Sequence, residues 1–159
     1  MPVDKQKLID KSICPEFKDA VNNHSGDLEP RDLVEIHASM DPTASDIITY
    51  TTTSDTTEEF KVYRRQMIDK VCEELESCWD GAWSLDLQDK DTRKAIFSKD
   101  EKTLTQEERV YKLYWCLKNK IPFQKLPIAE ILTQNADFET NVKDYWKNTI
   151  IPAQRTDLG

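Results

Sequence analysis

The sequence predicts a mainly α protein: a single compact helical domain of about six or seven helices, with a short strand pair near residues 46–53 as an optional addition. Three observations carry this. Apolar residues recur at spacings of three and four from Phe60 to Trp79 and again from Val110 to Leu117, the period of an amphipathic helix. Thr56 with Glu59, and Thr105 with Glu108, each read as a capping box just ahead of one of those stripes. Glycine is scarce, at three in 159 residues. Phosphate-cradling loops and dinucleotide fingerprints need several glycines at fixed spacing, so those nucleotide sites are excluded.

Along the chain, residues 4–23 read as two short helices. Asp4 caps the first, which carries Leu8, Ile9 and Ile13. Pro15 opens the second, which carries Phe17, Ala20 and Val21 and stops at His24-Ser25-Gly26. Pro30 opens a third helix to Met40. Residues 41–57 hold seven threonines, two serines and three aspartates and read as a connector between an N-terminal lobe or arm (1–40) and the main helical core (58–152). The strongest helix covers 57–79, with Phe60, Tyr63, Met67, Val71, Leu75 and Cys78 on its stripe and Ile68, Cys72 and Trp79 beside it; Gly81 is the expected stop. A loop and one short helix fill 82–104. The helix over 106–119 is apolar so far round that it belongs at the centre of the core. Pro122 breaks it, and a short helix follows Pro127. The last helix spans 137–149, is expected to end at Pro152, and leaves 153–159 as a tail.

Composition bounds the function. The net charge is −8 and 33% of residues are charged, which disfavours a protein that coats nucleic acid. There is no run near the roughly 18 apolar residues of a membrane span and no apolar leader, so a cytoplasmic or nuclear location without membrane contact is expected. The four cysteines are far apart and are expected as reduced, mostly buried thiols. Asn23-His24-Ser25 fits a glycosylation acceptor only by chance in that setting.

Four constellations could carry function. Arg109, Lys112, Lys118, Lys120 and Lys125 lie among Tyr111, Tyr114, Trp115 and Phe123 with no acid between them. Cations hold phosphate and aromatic faces stack on unpaired bases, so this segment could bind single-stranded nucleic acid; a basic solvent face on a core helix is the plainer explanation. Residues 69–91 hold eight acids against two lysines. Among them Glu73, Glu76 and Asp80 sit at helical spacing and could hold Mg²⁺ in an all-α nucleotide phosphohydrolase, although no second acidic pair completes the set. The same acids could complement the basic segment, within one molecule or between two. Trp79 and Trp83 flank a helix end, where they serve either as core or as a contact surface, since tryptophan is enriched at binding hot spots. Thr56 precedes Glu58 and Glu59 and could take a phosphate at a helix N-terminus.

Other chemistry is poorly supplied. His24 and His37 are the two histidines, and no Cys–His pair is defined by spacing. Cys72 and Cys78 are six apart, wider than the usual zinc-ligand pair. Asp86, Asp89 and Asp91 lack the alternation and glycine of a calcium loop. No cofactor is expected. The expectation is a non-enzymatic regulatory or adaptor protein that binds another macromolecule, most simply a protein, with a homodimer or a nucleic acid as alternatives. Accessory proteins of viruses and phages fit that description.

Overall fold

The computed structural model describes residues 3–11, 15–39, 58–119, 121 and 136–158, and over them the fold is mainly α. The helices are α1 (Lys5–Lys11), α2 (Pro15–Asn23), α3 (Pro30–Ser39), α4 (Lys61–Ala82), α5 (Lys90–Phe97), α6 (Gln106–Lys118), α7 (Ala136–Tyr145) and α8 (Ile151–Leu158). Short 3-10 turns stand at Glu58–Phe60 and Glu101–Thr103, and a π-turn at Trp146–Ile150 joins α7 to α8. A lone bridge, Val3 to Leu28, ties the first described residue to the α2–α3 loop. The strand pair expected at 46–53, the Thr56 cap and phosphate site, and the helix after Pro127 all lie outside the described residues.

Local chemistry sets the helix ends. The Asp4 carboxylate accepts from the Lys7 amide at 3.2 Å, and prolines open α2 and α3, where a missing N–H costs nothing. Gly26 follows α2 with φ 78°, a backbone shape that side chains resist. Asp89 caps α5 by accepting from the Thr92 amide and hydroxyl at 3.1 and 2.6 Å. The Thr105–Glu108 capping box opens α6 as expected, with both reciprocal hydrogen bonds made.

Three ends differ from expectation. Helix α4 starts at Lys61, after a 3-10 turn, with Phe60 at the N-cap and no side-chain cap there. It also runs past Gly81 to Ala82 and ends where Trp83 turns to extended backbone (φ −133°, ψ 153°). Gly81 therefore supplies no left-handed stop; the chain leaves because Leu85 and its neighbours are held elsewhere, as described below. Finally, Pro152 does not end the last helix. Proline removes an amide and its ring crowds the preceding turn. The π-turn widens that turn, with the Ile151 amide bonding to the Trp146 carbonyl, so the helix continues as α8 through residues expected to be a tail.

The core forms on α4, which packs against both α6 and α7. Its stripe of Phe60, Tyr63, Met67, Val71 and Leu75 is buried and continues to Trp79, with Cys78 only half-buried. Helix α6 is the central one: Val110, Tyr111, Leu113, Tyr114, Trp115, Cys116 and Leu117 are all buried. Each large apolar side chain so enclosed contributes about 1.5–3 kcal/mol against an exposed one. Buried residues from α1 through α8 join one hydrophobic cluster, and α8 lies along α3.

Candidate interaction surface

The loop after α4 is fastened by the helices beneath it. The Trp79 indole N–H donates to the Leu85 carbonyl at 2.7 Å, the Trp115 indole to Leu87 at 2.9 Å, and the Tyr111 hydroxyl to Asp89 at 3.1 Å. Three aromatic donors thus take every second carbonyl from 85 to 89. The opposite polarity is met by Glu107, whose carboxylate accepts from the Ser84 and Leu85 amides, each at 2.6 Å. Buried backbone groups must find partners, and here core aromatics supply them. Arg93 stacks over Trp115 at 4.3 Å and closes the other side.

This arrangement separates the two tryptophans. Trp79 is 1% exposed and meets Tyr111 edge-on at 5.9 Å, so it is core. Trp83 is half-buried, with its ring 5.7 Å from that of Trp79, and keeps part of its surface open at the C-terminal end of α4.

The solvent face of α4 is acidic from Asp69 onward, after Lys61 and Arg65 in its first turns. Asp69, Glu73, Glu76 and Asp80 are exposed at successive steps of four, three and four residues. Arg65 pairs with Asp69 at 3.4 Å. Glu76 is already engaged: it accepts from the Tyr114 hydroxyl and from Lys118, the latter at 3.0 Å. Partial burial pushes its carboxyl up, but those hydrogen bonds outweigh that and hold it below the ordinary carboxylate value. Among the described residues, no group of three or more His, Cys, Asp or Glu side chains is gathered as a metal site would require. Glu73, Glu76 and Asp80 form a ridge and do not converge.

Over its described residues, the basic segment is answered from within the chain. Lys112 pairs with Glu101 and sits 5.6 Å from the Phe97 ring centre. Lys118 pairs with Glu76, joining the basic and acidic stretches in one molecule. Arg109 is half-buried and donates to the Leu104 carbonyl at 3.0 Å. Tyr114 and Trp115 are buried, so they present no stacking face. Lys120 and Lys125 lie outside the described residues.

Sequence reasoning missed a polar centre between α3 and α8. His37 is 3% exposed and Gln154 1%, and the His37 Nδ1 lies 3.2 Å from Gln154 Oε1. The rings of Phe17, Phe60 and Trp146 surround the imidazole at 6.1, 5.1 and 5.8 Å. Burial pulls the His37 pKa down to about 4 against a smaller opposing effect of Gln154. The spacing of Leu33, Val34 and His37 was the available signal, but Gln154 fell in a stretch expected to be unstructured. Cys72 and Cys116 are buried as well, and burial pushes the Cys72 thiol up to about 11 and raises that of Cys116.

Compared with known proteins, the chain matches no family model, no curated protein and no solved structure. Among the described residues, no helix is long and apolar enough to cross a membrane.

Proposed function

We propose that this chain is a non-enzymatic adaptor or regulator whose partner is a protein presenting a basic surface. The observation that supports this reading is the fate of the two charged stretches. Lys112 and Lys118 are drawn into ion pairs with the chain's own Glu101 and Glu76, whereas Glu73 and Asp80 stand exposed along α4. That acidic ridge ends at Trp83, a half-open aromatic ring backed by Trp79. A charged rim beside an aromatic anchor is the usual anatomy of a protein contact, with charge directing encounter and the ring supplying affinity. Cys72, Cys116 and His37 are enclosed and poorly placed as nucleophile or base toward an outside substrate.

The test is capture from native lysate by the full chain, with and without nuclease, beside two variants. Trp83→Ala, and the pair Glu73→Lys with Asp80→Lys, are each expected to lose the captured protein while keeping wild-type helical content. A partner retained by both variants would remove this surface from consideration. Material lost on nuclease treatment would point to nucleic acid instead.

A further inference from the structure

Helix α8 is attached differently from α4 and α6, the two helices that carry most of the core. Of its residues, Ile151 and Gln154 are buried, and Ala153 and Leu158 are half-buried. Much of its docking is polar. Gln154 meets His37 at 3.2 Å, Arg155 meets the Glu35 carboxylate at 3.1 and 3.3 Å, and Asp157 accepts from the Tyr63 hydroxyl. A neutral hydrogen bond such as that of Gln154 with His37 adds little net stability and an exposed ion pair such as Arg155 with Glu35 adds less; the Tyr63 bond, to the charged Asp157 carboxylate, is the strongest of the three. By contrast α4 and α6 are held by long rows of enclosed apolar side chains.

The junction is also weak. The π-turn at Trp146–Ile150 interrupts regular bonding, and Pro152 has no amide to return to the turn before it. A helix of eight residues is not stable alone in water, so α8 stays helical only while docked. Segments with little apolar burial and a backbone discontinuity open at lower free energy than the whole fold.

We propose that α8 is a latch. It detaches as one unit at the π-turn while α4, α6 and α7 stay packed, and its release uncovers the wall where His37 lies among Phe17 and Phe60. The latch closes through three side-chain pairs that join α8 to α3 and α4, so its occupancy decides whether that ring-lined wall reaches solvent. This proposal does not depend on the reading of the α4 face.

Amide hydrogen exchange on the full chain at neutral pH tests it. The amides of 153–158 are expected to exchange together, at least about tenfold faster than those of 110–117. Gln154→Ala is expected to speed 153–158 at least about fivefold further and to leave 67–79 and 110–117 unchanged. Exchange of 153–158 at the core rate would overturn the latch. So would rates that climb smoothly toward Leu158, because that is end fraying. A Gln154→Ala chain whose core amides accelerate equally, or that unfolds outright, would show α8 to be an integral part of the core.

Discussion

His37 is the residue whose burial has the clearest thermodynamic consequence. Its pKa falls from the ordinary 6.5 to about 4 in the fold because charging it would strand an imidazolium among aromatic rings. The neutral form is therefore the folded form. Its contribution is complete above pH 6.5 and is lost as pH falls from 6.5 toward 4, since the unfolded chain takes up the proton first. The shift corresponds to about 3 kcal/mol. Urea unfolding at pH 7, 5 and 4 should show that loss, and the double variant His37→Phe, Gln154→Leu should show a shallower pH dependence over the same window. An equal slope in both chains would assign the effect to other groups. A second residue-scale expectation concerns Thr105, whose hydroxyl accepts from the Glu108 amide at 3.2 Å. Thr105→Ala should cost about 1 kcal/mol by denaturant titration.

The loop from Trp83 to Asp89 shows how elements depend on one another. Its carbonyls at 85, 87 and 89 go to Trp79, Trp115 and Tyr111, and its Ser84 and Leu85 amides go to Glu107. The two tryptophans at the end of α4 should therefore respond unequally to truncation. Trp79→Ala removes a fully enclosed ring and the donor to Leu85, at an expected cost of about 3–5 kcal/mol. Trp83→Ala removes a half-covered ring and should cost about 1 kcal/mol or less. Thermal unfolding of the two variants separates them, and equal losses would place Trp83 in the core as well. Glu107→Ala should loosen the same loop, read as faster exchange of the Ser84 and Leu85 amides with α6 unaffected.

For the whole molecule, the distribution of charge sets the expectation. With a net charge of −8 and an acidic ridge along α4, the proposed contact with a basic protein should weaken as salt rises, because exposed charges are screened beyond about 8 Å at physiological ionic strength. Affinity measured from 50 to 500 mM salt checks this, and a salt-independent affinity would move the contact away from α4. The described thiols carry a parallel expectation. Cys72 and Cys116 should resist thiol reagents in the native state and react on unfolding, whereas the half-buried Cys78 should react first.

Much of the fold was legible in the sequence. Periodicity marked α4, α6 and α7 because a helix that buries one face must repeat apolar residues every three or four positions. Prolines and short polar side chains marked the starts of α2, α3 and α6 because those positions leave amides to be satisfied. The stop at Gly81 and the tail after Pro152 were misread for one reason: both are local signals that distant contacts overrode. Helix α4 ends where Trp79, Trp115, Tyr111 and Glu107 capture the following loop, and α8 persists because His37, Glu35 and Tyr63 receive it.

The candidate site was legible in composition but not in arrangement. The sequence by itself determined the helical class, the stripe of α4, the central place of α6 and the presence of two oppositely charged stretches. Only the tertiary structure decided that Glu76 and Lys118 meet across α4 and α6, that Trp79 is enclosed while Trp83 is half open, and that His37 faces Gln154 across 117 positions of chain. Periodicity is a property of one segment and can be counted along it. Pairing, burial of one ring of two and the meeting of α3 with α8 depend on how segments pack, which no spacing within a single segment encodes.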